Sequence, residues 1–179
     1  MVLYGATDLT DRRQAYDLLA QAVSEQWGLP QLPVMAHGTQ GKPYFPALNH
    51  HEFNLSHSGS LALCGLDHCP VGVDIQVVKP RRAGLPRRVC SDQELAWLER
   101  GEQFWTRFAL LWALKECRVK HSGTGLTPPI SAIRIPLPGR VGELSFLDGL
   151  WFRTYGGEDW RGAVCGLNPP PERIFWLKL

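Results

Sequence analysis

The 179-residue sequence contains no C-x-x-C pair; its five cysteines stand at positions 64, 69, 90, 117 and 165. That removes the usual sequence basis for a structural zinc site or a dithiol redox motif, and the odd thiol count points to reduced cysteines in a cytoplasmic setting. No hydrophobic run comes near the ~20 residues that a membrane-spanning helix needs. The opening stretch MVLYGATDLTDRR has no apolar signal-peptide core. Charge of one sign is barely in excess, with 19 Lys and Arg against 17 Asp and Glu. So mild a bias argues against a nucleic-acid partner, while local basic clusters can still serve an acidic one. A G-x-S-x-G nucleophile elbow and exact internal repeats are also missing.

What is present reads as globular. Hydrophobic residues make up 44% and charged residues 20%, and seven tryptophans can fill much of a core. Ala15, Leu18, Leu19, Ala22, Val23 and Trp27 recur at helical spacing, which predicts a helix over 10–27 stopped by Gly28 and Pro30. A Pro/Gly-rich loop containing GTQGKPYFP follows. EFNLSHS, SLALCGL and VGVDIQV then predict three strands, separated by Gly59 and the Asp67–Pro70 cluster. Lys79 to Arg88 is a basic linker containing proline. Ser91 and Glu94 form an S-x-x-E capping box for a short helix ending at Gly101, and a longer helix is expected over Trp105–His121. Beyond it, strands alternate with turns such as Asp148-Gly149 and Gly156-Gly157. Helix then strands, twice over, predicts an α+β fold of two similar halves, 1–70 and 71–179, packed as one compact unit and expected to be a monomer.

The stretch FALLWALKECRVKHSG raises a question of chemistry. Phe108, Trp112, Glu116 and Lys120 are spaced i, i+4, so Glu116 borders the buried stripe and Lys120 lies one turn on. They form either a surface ion pair worth about 0.3–0.5 kcal/mol or two groups facing a cleft. In FNLSHSG, Ser56 and His57 are neighbours on a strand and point to opposite faces, which disfavours direct nucleophile activation. His57 is either a satisfied structural histidine or, with Ser56, a phosphate ligand beside a glycine that lets backbone approach. Lys42 in GKP is a solvated turn lysine or a further phosphate ligand. Asp74 interrupts an apolar strand and needs a partner or a metal, and Gln76 shares its face. Asp74 and Glu116, with or without Gln76, form an oxygen-only set suited to Mg²⁺ that bridges substrate phosphates.

In order, GKP, FNLSHSG, VGVDI and WALKECRVK resemble the 4′-phosphopantetheinyl transferases of the surfactin-synthetase-activating (Sfp) type, over about residues 41–126. The last 50 or so residues carry no usable motif. The resemblance implies a pseudo-two-fold pair of α+β halves with coenzyme A in the cleft between them. It implies transfer of phosphopantetheine to a serine of an apo acyl or peptidyl carrier protein, with adenosine 3′,5′-bisphosphate as the other product. Asp74, Glu116 and, at the position after next from Asp74, Gln76 would hold Mg²⁺; Glu116 would be the general base; Lys120 would neutralise the pyrophosphate and protonate the leaving group. Lys42, Ser56 and His57, and Arg13 at a position where the family often has an arginine, would bind coenzyme A. The family commonly has Glu where this chain has Gln76, and the chain is short before its first helix. A magnesium-dependent phosphohydrolase and a non-enzymatic coenzyme A- or carrier-binding module are the alternative readings. The basic residues Lys79, Arg81, Arg82, Arg87 and Arg88 are either a solvated linker or a surface for the acidic helix of the carrier.

Overall fold

The computed structural model describes residues 1–125 and 129–179; the end of the motif-bearing stretch, residue 126, lies outside them. Two four-stranded sheets dominate. The first comprises β1 (Val2–Ala6), β4 (Glu52–Ser58), β5 (Leu61–Asp67) and β10 (Phe175–Leu177), in the order β10-β1-β5-β4. The second comprises β6 (Val71–Val77), β7 (Leu144–Leu147), β8 (Leu150–Gly156) and β9 (Trp160–Gly166), in the order β6-β9-β8-β7. A two-stranded ribbon pairs β2 (Ala36–His37) with β3 (Pro43–Tyr44). The helices are α1 (Gln14–Trp27), α2 (Leu85–Val89), α3 (Asp92–Glu99) and α4 (Phe104–Ser122).

Four layers follow from where apolar residues fall. Leu18, Leu19 and Val23 of α1 pack with Phe53, Ala62 and Cys64 on one face of the first sheet. Leu3 and Leu63 on its other face meet Val71, Val73, Ile75 and Val164 of the second sheet. Leu111, Leu114 and Cys117 of α4 cover the remaining face of that sheet beside Phe152, Ala163 and Cys165. Strands alternate their side chains, so Val73 and Ile75 face the first sheet while Gly72 and Asp74 face α4.

The helix over 10–27 is shorter than its spacing suggests. Asp11 and Gln14 side chains accept hydrogen bonds from the backbone N–H groups of Arg13, Thr10 and Asp11, holding a turn where the helix would begin. Gly28 and Gly123 close α1 and α4 in the left-handed conformation that glycine adopts without strain. The predicted strands at β4, β5 and β6, the Ser91 capping box and the Asp148-Gly149 hairpin turn all form. The basic linker instead contains α2, with Pro86 in its first turn, where a missing N–H costs nothing. The sequence reading assigned no strand to Val2–Ala6 or Phe175–Leu177. These pair with each other in parallel, so the end of the chain returns to the first sheet.

Candidate active site

Strand β6 is hydrogen-bonded to β9 on one side only, and its other edge faces β4. Opposite β4, α4 passes so close that a Cβ at Gly72 would collide with the Cys117 carbonyl. Only glycine permits that approach, and it brings the Glu116–Lys120 turn of α4 against Asp74. Asp74 is 2% exposed, so its charge needs partners. Lys120 Nζ lies 2.6 Å from Asp74 Oδ1 and donates to Ser56 Oγ at 2.8 Å. The Ser56 hydroxyl donates to the same Oδ1 at 2.8 Å. Gln76 Nε2 donates to Oδ2 at 2.8 Å, and Arg81 Nη2 donates to Gln76 Oε1 at 3.2 Å.

Glu116 is half-buried. Burial pushes its carboxyl above the ordinary range, the nearby Asp74 adds to the push, and Lys120 partly offsets it. The ion pair of Lys120 is with Asp74. Two crowded carboxylates fit a magnesium ion of the kind shared with a polyphosphate. Among the described residues no group of three or more His, Cys, Asp or Glu could hold a metal, so water and substrate oxygens would complete the shell. Gln76, expected beside these two carboxylates, turns its amide nitrogen to Asp74, and its carbonyl oxygen accepts from Arg81. A neutral amide can donate to one neighbour and accept from the other, which an ionised glutamate cannot.

Ser56 and His57 point to opposite faces, as their adjacency predicts. His57 lines a separate cleft of about 410 Å³ with Arg12, Arg13, Tyr16 and Leu55. Arg13 is paired with Asp11 at 2.7 Å, but both side chains are exposed. Such a pair contributes little and leaves the guanidinium open to exchange for a ligand anion.

Lys42 lies where the GKP loop meets the end of α4. Its Nζ donates to the His121 carbonyl at 3.0 Å, capping the last turn of α4, and burial lowers its pKa. Among the described residues the buried Nε2 of His121 has no partner. Burial first, then Lys42 and Arg118, push its pKa below 6.5. Between that lowered value and 6.5 the unfolded chain holds a proton that the folded chain refuses, so stability falls as pH drops through this window. His121→Gln should lose less of its urea midpoint than the parent between about pH 7.5 and 5; parallel losses would mean that His121 is accommodated in its charged form.

The contacts of three neighbours of the site escaped the sequence reading. Lys115, beside Glu116, is a deeply buried cation, 1% exposed, bonded to Glu94 at 2.9 Å and to the carbonyls of Ile130 and Ile133. Glu94 was legible as a capping-box residue, but its second bond joins elements 21 residues apart, and no local pattern signals that. Arg81 stands in the basic stretch, where nothing marks it as the partner of Gln76. With Lys79, Leu85, Phe108 and Trp112, Arg81 and Gln76 line a small cavity beside the Asp74 cluster.

Residues 70–165 match the 4′-phosphopantetheinyl transferase superfamily. The chain is 34% identical over 162 residues to a 4′-phosphopantetheinyl transferase of Bacillus subtilis, covering 85% of this chain and 71% of that protein. It is 31% identical over 168 residues to the transferase Sfp of B. subtilis strain 168, covering 88% and 74%. To the transferase AcpT of Salmonella typhimurium it is 43% identical over 110 residues, covering 59% and 57%.

Proposed function

This chain belongs to the 4′-phosphopantetheinyl transferase superfamily, enzymes that transfer phosphopantetheine from coenzyme A to carrier proteins, and we propose that its Asp74–Glu116–Lys120 cluster performs that transfer. The acceptor is a serine hydroxyl of an apo acyl or peptidyl carrier protein, and adenosine 3′,5′-bisphosphate is released. The observation that carries this reading is the meeting of two carboxylates and one ammonium where α4 crosses β6, within the matched region.

Each group has a physical task. The attacked phosphorus lies in a polyanion, so positive charge must offset repulsion before a hydroxyl can approach. Lys120 supplies one cation and protonates the departing phosphate oxygen. Asp74 and Glu116 are the residues that would hold Mg²⁺, which when bound polarises the pyrophosphate. Glu116 accepts the serine proton; its raised pKa makes it a better base than an ordinary glutamate. Arg12, Arg13 and His57 supply cationic and hydrogen-bonding groups for the phosphates at the nucleotide end of coenzyme A. Lys79, Arg81, Arg87 and Arg88 offer positive charge to an acidic carrier helix.

The pseudo-two-fold reading has support in topology. In each sheet the chain runs strand, helix, strand, strand, and the last strand lies between the other two: β1-β5-β4 with α1, and β6-β9-β8 with α4. The halves are 1–70 and 71–179, with β10 lent to the first sheet, and the substrate cleft runs between them. A monomer contains both. No helix among the described residues is long and apolar enough to cross a membrane. The five free cysteines suit the cytoplasm.

Incubation with coenzyme A, Mg²⁺ and an apo carrier protein should add one phosphopantetheine mass to the carrier serine. Release of nucleotide without carrier modification would indicate a hydrolase, and neither product would indicate a binding module. His57→Ala should weaken coenzyme A binding roughly tenfold or more, the scale of a lost bond to a charged group, with little change in turnover at saturation. Lost turnover with unchanged affinity, measured by calorimetric titration, would remove His57 from the nucleotide site.

A further inference from the structure

The arginines around the second sheet have unequal surroundings. Arg118 and Arg134 share the Asp148 carboxylate at 3.0 and 3.1 Å, and Arg153 donates to the carbonyls of Pro170 and Gly142 at 2.9 Å. Arg107, Arg140 and Arg161 form no ion pair among the described residues. These three line one cleft of about 140 Å³. The fold brings them there from distant places. Arg161 is registered opposite Gln76 across β9 and β6, so both side chains project on the face that α4 covers. Arg107 comes from the first turn of α4, and Arg140 from the loop before β7. Thr106, Arg107 and Leu110 occupy one flank of α4, whereas Phe108, Ala109 and Trp112, beside the Asp74 cluster, occupy the other.

The cations are held in place rather than neutralised. The Arg107 guanidinium lies 3.8 Å from the centre of the Trp97 ring, and its Nη2 donates to the Trp97 carbonyl at 2.5 Å. Gly101 packs on it so closely that a Cβ there would collide. Arg107 Nε is buried without a partner among the described residues. Arg161 is fixed through Nη1, which donates to the Gly157 and Trp160 carbonyls at 2.5 and 2.6 Å. Burial lowers its pKa. The carboxylate of Glu143, in the same loop as Arg140, accepts from the backbone N–H groups of Gly139 and Arg140. Unpaired cations that are partly withdrawn from water carry a cost that a bound anion offsets.

We propose that Arg107, Arg140 and Arg161 form a binding site for a phosphate group, either free or as a small ester. Guanidinium groups present paired N–H donors that match phosphate oxygens, and three of them around one cleft favour a doubly charged oxyanion over a single carboxylate. The cleft is smaller than the 410 Å³ one lined by Arg12, Arg13 and His57, which suits a phosphate group and not a nucleotide. An occupant would tie α4, the 138–141 loop and β9 together, and α4 also carries Glu116 and Lys120.

The protein, isotope-labelled at arginine, is titrated with inorganic phosphate by NMR at constant ionic strength and without coenzyme A. The Nε–H resonances of Arg107 and Arg161, assigned with Arg107→Lys and Arg161→Lys, should shift saturably with a dissociation constant of about 1 mM or tighter. Arg140 is exposed, so Arg140→Gln should fold; it should weaken phosphate at this site roughly tenfold, the scale of one charge-assisted bond, and keep the transfer rate. Tighter binding of methyl phosphate than of inorganic phosphate would assign the ester, and the reverse the free ion. Shifts confined to Arg12 and Arg13, or an unchanged affinity in both Arg140→Gln and Arg161→Gln, would overturn the proposal. So would a raised KM for the carrier in Arg140→Gln without any phosphate shift, which would make the cleft a carrier contact. Because binding is read without turnover, a failure of the assigned reaction leaves this result standing.

Discussion

Glu116→Gln is expected to fold as the parent does and to lose at least about 10²-fold in turnover, the usual scale for removing a general base. The change is nearly isosteric and replaces a crowded half-buried carboxylate with a neutral group, so stability should hold or rise. The upward push on its pKa comes first from burial and then from Asp74, and both penalties vanish with the charge. The apparent requirement for Mg²⁺ should rise as well, since one of two carboxylates is gone. Lys120→Ala is the paired test. It removes the ammonium 2.6 Å from Asp74, and with it the positive charge proposed to offset the pyrophosphate. Turnover within a few-fold of the parent in Glu116→Gln, measured at saturating coenzyme A and carrier, would refute its role as base.

Lys115→Ala is expected to be the most destabilising single change near the site, by about 3–5 kcal/mol, because it strands a buried carboxylate. The Lys115 and Glu94 side chains are 1% and 7% exposed and lie 2.9 Å apart. Lys115 also bonds to Ile130 and Ile133 carbonyls, so its loss orphans acceptors from two further positions. A domain stable by about 5–15 kcal/mol can lose its fold to such a change. Urea unfolding would measure it. Lys115→Met combined with Glu94→Gln should recover much of the loss, since no uncompensated charge then remains. A midpoint shift equivalent to less than about 1 kcal/mol would show that the pair behaves as a solvated one. Of the two adjacent charges in the K-E pair, one is thus assigned to chemistry and the other to holding α4 on α3 and on the turn at 130–132.

Much of this was legible along the chain. Short runs bounded by the turns at Gly59 and Asp67–Pro70 marked β4, β5 and β6, helical spacing marked α4 and most of α1, and capping chemistry marked Ser91, Gly28 and Gly123. Each is a local rule, set by backbone geometry and the side chains within one or two turns. The pairing of four ordered motifs pointed to the family before any fold was visible. Helix spacing also put Glu116 at the edge of the buried stripe, where the structure has it half-buried. Opposite orientations for Ser56 and His57 followed from the strand alone.

What tertiary structure decided is who meets whom. Lys42 and His121 are 79 residues apart, Ser56 and Lys120 are 64 apart, and Glu94 and Lys115 lie on different helices. A lysine in a Gly-Pro loop has the same local signature whether it binds phosphate or caps a helix. Likewise, nothing in the sequence around Gln76 marks Arg81 as the partner of its carbonyl. The inner strand β1 and the three-residue edge strand β10 did not declare themselves, because they are held by pairing with each other and with β5 rather than marked by a local pattern. Local propensity is a property of consecutive residues, so sequence alone determined most of the elements and the motif-bearing family of this protein. The partners of its buried charges depended on the layering of two sheets and the close crossing at Gly72, because a charge in low dielectric is governed by what lies within a few ångströms, however distant in the chain.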